Sequence, residues 1–262
     1  MRIASLSPAA TEILFALGKE SQIVCVDQFS NYPEEAKSLP RLLGHQSVPV
    51  PELRRFAPDL ILTATVVQEK LVAQLRAAGL PVHHDDPRTL KGVEDSIRAI
   101  GLLVEAEKEA EELIVRFREA LAVVRRRGLL LHKKPRIYLE EWPTLPGSSG
   151  KHQLPFASGN WVPELVTIAG GIPYPVRAGE LSKEVTLEEV RRFDPELIVI
   201  SWCGAGRLAD PSLLIGRPGW GELVAVQEGR IRVIDDSLLN RPGPRLAEGA
   251  ARLFGWFFEL LH

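Results

Sequence analysis

Four large rings fall in irregular, Pro- and Gly-rich stretches: Tyr32 in Phe29-Ser30-Asn31-Tyr32-Pro33, Trp142 in Glu140-Glu141-Trp142-Pro143, Trp161 in Ser158-Gly159-Asn160-Trp161, and Trp202 in Ile200-Ser201-Trp202-Cys203-Gly204. Flat rings carried on loops beside few charges suit a bulky, mostly neutral organic ligand. The competing reading is that each ring caps a local core. Trp220 and Trp256 read as packing residues, Trp256 on the last helix. His45, isolated in Gly44-His45-Gln46-Ser47, lies on a strand-to-helix connection, where open α/β sheets bind ligands.

Other constellations are weaker. His83-His84-Asp85-Asp86 closes a strand and offers metal-ligand types. Neighbouring residues of a strand point to opposite faces, so at most His83 with Asp85, or His84 with Asp86, converges; a solvated loop from Pro87 explains them better. Gly147-Ser148-Ser149-Gly150-Lys151 lacks the first glycine of a phosphate loop, and Gly204-Ala205-Gly206 lacks the third glycine of a dinucleotide fingerprint. No Gly-x-Ser-x-Gly elbow occurs. No catalytic cofactor or metal is therefore expected.

Composition narrows the class. The 262 residues are 45% hydrophobic and 25% charged, with 32 basic against 34 acidic side chains and a net charge of -2. That balance excludes a strongly basic coat for nucleic acid. No apolar run reaches the ~20 residues of a spanning helix. The two cysteines, Cys25 and Cys203, form no disulfide framework or Cys-x-x-Cys pair and leave the redox compartment open. No basic n-region with a long apolar stretch opens the sequence, which fits either a chain that stays inside or one whose leader has been removed.

The elements that must position these residues read as α/β. Strands are expected at Ile3–Leu6, Ile23–Val26, Leu60–Thr65, Pro81–His84, Ile137–Glu140, Leu197–Ser201 and Ile231–Ile234, mostly in parallel sheet. Helices fit at Ala10–Leu17, Lys70–Ala78, Leu90–Gly101, Pro163–Ala169 and Leu246–Leu261. There is also an internal echo: Glu52-Leu53-Arg54-Arg55-Phe56-Ala57-Pro58-Asp59-Leu60-Ile61-Leu62 returns as Glu189-Val190-Arg191-Arg192-Phe193-Asp194-Pro195-Glu196-Leu197-Ile198-Val199. Each copy is a short amphipathic helix, stopped before a proline, feeding an apolar strand. Downstream, each half has a strand ending in two aspartates, Asp85-Asp86 and Asp235-Asp236. Between the halves, 105–127 lacks glycine and proline, is acidic at its start and basic at its end, and predicts one helix roughly 35 Å long. The expected plan is two Rossmann-like lobes, 1–104 and 128–262, with mostly parallel sheets joined by that helix.

The chain resembles the cobalamin-binding proteins of ABC transporters, within the wider family that also binds ferric siderophores and haem. The resemblance is carried by Ile3-Ala4-Ser5-Leu6-Ser7-Pro8-Ala9-Ala10-Thr11-Glu12, Ser30-Asn31-Tyr32-Pro33, Pro58-Asp59-Leu60-Ile61, Gly159-Asn160-Trp161-Val162-Pro163-Glu164-Leu165 with Ala169-Gly170-Gly171, and Arg241-Pro242-Gly243-Pro244-Arg245. It covers essentially the whole chain in order. It implies the class III periplasmic binding protein plan, with a corrinoid held in the cleft between lobes. By position Tyr32 would stack on the corrin or its nucleotide loop, and Ser237, Leu238, Leu239, Asn240 and Arg241 would form the second lobe's contact loop. His45, Leu238 and Leu239 stand where an enteric member has aromatics, so His45 would pack similarly or approach the cobalt. One acidic residue per lobe, at about Glu52 and Glu188, would dock on arginines of the permease; the internal echo pairs Glu52 with Glu189 instead.

The resemblance thus implies a non-enzymatic, monomeric, extracytoplasmic binding protein that delivers cobalamin or a related corrinoid to an ABC importer. The ligand set is Tyr32, His45, Trp142, Trp161, Trp202, Ser237, Leu238, Leu239, Asn240 and Arg241. A ferric siderophore or haem is the alternative ligand, and a cytoplasmic corrinoid-handling protein or enzyme the more distant one.

Overall fold

In the computed structural model, which describes residues 1–143 and 154–262, the β-branched runs of the first half become β1 (Ile3–Ser5), β2 (Ile23–Val26), β3 (Leu60–Ala64) and β4 (Val82–Asp85). All pair in parallel, in the order β2-β1-β3-β4. The connections carry α1 (Pro8–Ala16), α2 (Val50–Arg55), α3 (Glu69–Ala77) and, after β4, α4 (Leu90–Leu103). Pro8 opens α1, where its missing N–H costs nothing, and Thr89 Oγ1 caps α4 by accepting from Gly92 N at 3.0 Å. Ala4, Leu6, Cys25, Leu53, Ile61, Leu71 and Leu75 close one core on the sheet. Burial there pushes the Cys25 thiol up to about 12, which keeps it inert.

The chain then runs through α5 (Glu107–Gly128). This helix starts at Glu107 rather than Glu105 because Glu105 takes a left-handed φ of 53° just past α4. Its first turn holds Glu107 and Glu109 and its last Arg125, Arg126 and Arg127, the polarity that favours the helix dipole. The chain packs as two units, Met1–Phe117 with Pro242–Pro244, and Arg118–Arg241 with Arg245–His262.

The second unit's elements are β5 (Arg136–Trp142), β6 (Phe156–Ala157), α6 (Val162–Ile168), β7 (Ile172–Pro173), β8 (Lys183–Glu184), α7 (Leu187–Phe193), β9 (Leu197–Ile200), α8 (Ser212–Ile215), α9 (Val224–Gln227), β10 (Ile231–Val233) and α10 (Leu246–Leu261). The sheet order is β10-β9-β5-β6-β8, with β7 parallel to the start of β5. β9 and β10 are parallel to β5, while β6 and β8 add an antiparallel edge. Those two strands and β7 have two residues each, too few for a period, and escape the sequence reading.

The internal echo recurs as geometry. Ile3 registers with Leu60 and Ile137 with Leu197. Arg2 donates from Nε and Nη2 to Phe56 O at 3.0 and 2.8 Å, and its N–H donates to Asp59 Oδ2 at 2.7 Å. Arg136 donates from Nε to Asp194 O at 2.7 Å, and its N–H to Glu196 Oε2 at 3.1 Å. The residues before the two prolines, Ala57 and Asp194, take φ of 42° and 52°, so each helix stops where proline excludes the helical conformation. In both sheets winding reverses, at β1 between β2 and β3 and at β5 between β7 and β9. The carboxyl ends of strands at such a point are where open α/β sheets hold ligands.

Candidate ligand-binding site

At the reversal in the first unit, a polar chain replaces the apolar core. Asp27 follows β2 and is fully buried. Its Oδ1 accepts from Ser30 Oγ at 2.5 Å, and its Oδ2 lies 2.9 Å from His45 Nδ1. A carboxylate can only accept, which fixes the direction of the bonds that reach it. Ser30 has one proton and gives it to Asp27, so its 2.9 Å bond with Thr11 Oγ1 has Thr11 as donor; Ser5 Oγ lies 2.8 Å from Thr11 Oγ1, and the Ser7 carbonyl is a second acceptor for both hydroxyls, 3.2 Å from Thr11 and 3.4 Å from Ser5. The same argument puts the His45 proton on Nδ1 and leaves Nε2 as the basic nitrogen. Gln68 bridges the ends of β1 and β3: its Nε2 donates to Leu6 O and to His45 O, both at 2.7 Å, and its Oε1 accepts from Ala64 N at 2.8 Å. Phe29 meets the His45 ring edge-on, centroids 5.6 Å apart.

The loop bearing Tyr32 is held by one guanidinium. Arg41 donates to Asp27 O, Gln28 O, Ser30 O and Ala36 O between 2.9 and 3.2 Å. Tyr32 is 42% exposed.

The second unit sorts the expected ligand residues into two groups. Trp161 and Trp202 are core residues, 2% and 4% exposed. The Trp161 Nε1–H donates to Leu239 O at 2.7 Å, and that of Trp202 to Glu140 Oε1 at 2.8 Å. A loop position therefore does not expose these two rings: each indole uses its one donor inside the unit, and its ring is buried in the core. Ser237, Leu238 and Leu239 are also buried. Ser237 Oγ donates to Asp235 Oδ1 at 2.6 Å, and the Leu238–Leu239 turn presses on α10 so closely that a Cβ on Gly249 would lie 2.1 Å from Leu238 O. These three shape the turn from behind and expose little side-chain surface.

Trp142, at the end of β5, is 44% exposed, and Asn240 and Arg241 are half-buried. Asn240 Nδ2 donates to Ser201 O at 2.6 Å and lies 3.1 Å from Cys203 Sγ. Beside them is a carboxyl the sequence reading missed. Glu141 accepts from Ser182 Oγ and, at 3.7 Å, from Cys203 Sγ. Burial pushes its carboxyl above the ordinary range despite those bonds, and pushes the Cys203 thiol well up, with Glu141 and Asp236 adding to it. Burial also opposes the charge on Asp235, but the bonds from Ser237, with Arg241 and Arg245 nearby, prevail and hold its carboxyl low. The paired aspartates brace loops in both halves: Asp86 Oδ1 accepts from Val66 N at 3.0 Å, and Asp236 accepts from Gly204 N and Gly206 N at 3.1 and 2.9 Å.

The remaining candidates are spent locally. His83 Nε2 pairs with Asp85 Oδ2 at 3.0 Å, and His84 Nδ1 lies 3.0 Å from Thr63 Oγ1. Among the described residues no three His, Cys, Asp or Glu side chains gather as a metal site. The Gly147–Lys151 stretch lies outside the described residues. Glu52 and Glu188 are both exposed, on the first turns of α2 and α7. Glu189 instead closes a capping box with Thr186, accepting from Thr186 N at 2.8 Å, which leaves Glu188 as the outward-facing acid of α7.

The family model described as periplasmic binding protein matches residues 3–238. The chain belongs to that family. This periplasmic binding protein is 27% identical over 261 residues to the vitamin B12-binding protein of Vibrio cholerae, covering 96% of this chain and 87% of that one. Its fold is that of the periplasmic heme-binding protein RhuT from Roseiflexus sp. RS-1, at TM-score 0.83 and 24% identity over 100% of this chain and 99% of that one. It is equally that of the periplasmic vitamin B12 binding protein BtuF of Vibrio cholerae, at TM-score 0.76 and 24% identity over 99% and 97%. Periplasmic binding proteins of this family serve ABC importers as substrate-binding proteins and are not enzymes, so the enzyme alternative falls.

Proposed function

We propose that this chain binds cobalamin or a closely related corrinoid outside the cytoplasm and hands it to the permease of an ABC importer. The observation that carries the reading is the likeness to a vitamin B12-binding protein along 96% of the chain. The exposed rings of Tyr32 and Trp142 are suited to flat apolar surface, and Asn240 and Arg241 to peripheral amides of the macrocycle. Glu52 and Glu188 are the acids proposed to meet permease arginines. Ligand transfer is the work of a monomer in this reading.

One observation favours a second ligand. His45, oriented by a buried carboxylate, is built like a metal-ligating imidazole, whose other ring nitrogen is ordinarily held by such a group. That suits the iron of haem as well as the cobalt of a corrinoid. Titration with cyanocobalamin, aquocobalamin, hemin and a ferric catecholate, read by tryptophan quenching and the ligand's visible spectrum, decides between them. Saturable binding of the cobalamins at micromolar or lower concentration supports the corrinoid reading; binding of hemin alone, with a spectral change lost in His45→Ala, replaces it with haem.

A further inference from the structure

The turn that ends α5 is unlike the rest of the surface, and neither the ligand nor the docking acids explain it. Residues 125–136 read Arg-Arg-Arg-Gly-Leu-Leu-Leu-His-Lys-Lys-Pro-Arg, with six Lys or Arg, and no Asp or Glu occurs between Glu119 and Glu140. Leu129 and Leu130 are 71% and 85% exposed. Their exposure belongs to an ordered turn. Leu129 N donates to Arg125 O and Leu130 N to Arg127 O, both at 3.0 Å. Gly128 is wedged against the end of α6, where a Cβ would stand 2.7 Å from Ile168 O, and Leu131 tucks back toward Gly170. The fold therefore anchors the turn from behind and presents two leucines outward.

The cations around them divide cleanly. Lys133 pairs with Glu196, and Arg136 with Asp194 and Glu196. Arg125, Arg126, Arg127 and Lys134 are exposed, and among the described residues none of them has an ion-pair partner. Nearby, α10 adds Phe258, exposed and stacked on His262 at 4.2 Å, whose ring meets His132 at 5.5 Å. Exposed leucines flanked in the chain by exposed cations without ion-pair partners match the boundary of an anionic bilayer, where leucines enter the acyl region and guanidinium groups meet phosphates.

We propose that the Gly128–Pro135 turn is a peripheral membrane-contact site for an anionic lipid surface. It keeps the protein near the bilayer independently of its ligand, and so does not rest on the corrinoid reading.

The test is co-sedimentation of the full chain with vesicles of phosphatidylcholine alone and of phosphatidylcholine with phosphatidylglycerol in equal parts. The chain should partition onto the anionic vesicles at least about tenfold better than onto the neutral ones, and the binding should weaken as salt rises. Leu129→Asn with Leu130→Asn should lower the anionic binding at least about fivefold. Arg125→Gln with Arg126→Gln and Arg127→Gln should do the same; thermal unfolding stays cooperative in both variants, lowered by a few degrees at most in the arginine variant, which loses charges that favour the α5 dipole. Failure of the parent chain to bind anionic vesicles overturns the proposal. So does full binding by the leucine variant, or a parent chain that sediments in solution as a dimer which that variant dissociates, since a second copy would then cover the leucines.

Discussion

Arg217 grips Glu140 with both prongs of its guanidinium, Nη1 to Oε2 at 2.7 Å and Nη2 to Oε1 at 2.6 Å, inside the second unit's core. Tyr138 OH donates to Oε2 at 2.9 Å, Trp202 Nε1 donates to Oε1, and the guanidinium lies 4.9 Å from the centre of the Trp220 ring. All four acceptor positions of the carboxylate are thereby used, at the carboxyl end of the strand where winding reverses. Removing one charge strands the other. Arg217→Met should cost about 3–5 kcal/mol in urea unfolding, and Glu140→Gln with Arg217→Met, which removes both charges and keeps an acceptor for Tyr138 and Trp202, markedly less. A double variant as unstable as the single one would mean that packing rather than stranded charge sets the cost.

The four rings picked out in the sequence should separate by assay. Trp161→Phe and Trp202→Phe each remove an indole donor from a buried acceptor and should cost about 1–3 kcal/mol of stability, with ligand affinity little changed. Tyr32→Ala and Trp142→Ala should leave the melting temperature within a few degrees of the parent and weaken ligand binding by tenfold or more, a loss of about 1.4 kcal/mol. Paired thermal-shift and binding titrations check all four.

That separation shows what the sequence makes legible. The strands at Ile23–Val26 and Leu60–Ala64 and the helix Leu246–Leu261 are readable because apolar pattern and length agree. The echo around Pro58 and Pro195 is readable because proline stops a helix for steric reasons alone. Exposure of a tryptophan is not readable from its loop position, since an indole serves a core as well as a binding face once one acceptor reaches its N–H. The partnership of Asp27 with His45 was equally hidden: it spans 18 positions and depends on β2 and the following loop meeting at one end of the sheet. Its only trace was an acidic residue directly after an apolar strand. Glu141 hid for a similar reason, its partners Ser182 and Cys203 arriving from distant loops.

Acidity should modulate stability through the β4 pair. The Asp85 carboxylate, accepting from His83, raises the His83 imidazole above its usual 6.5, against burial and the Arg76 charge. A raised folded-state value stabilises the fold while the group is protonated. The contribution is complete below about 6.5 and fades as pH climbs through the higher folded value. Asp85→Asn should therefore destabilise most near pH 5–6 and least near pH 8, measured as the difference in urea midpoints from the parent. A gap that widens with pH would reverse the assignment.

Docking can be tested apart from capture. Glu52→Lys and Glu188→Lys, at exposed positions, should leave ligand affinity unchanged and abolish stimulation of the permease ATPase in reconstituted vesicles. Glu189→Ala should instead lower stability by about 0.5–2 kcal/mol through loss of the capping box, with transport intact. Stimulation that survives both lysine changes would place the permease contact elsewhere.

In the row Ser5, Thr11, Ser30, Asp27 and His45, the buried Asp27 carboxylate takes a hydroxyl proton on one side and meets the ring on the other. In the proposed binding role, those bonds are in place before any guest arrives. Little reorganisation is left for the moment of capture, so differences among guests should report their own solvation and metal chemistry. Thr11→Val would break that row at a fully buried position, two residues removed from the His45 ring's own partner.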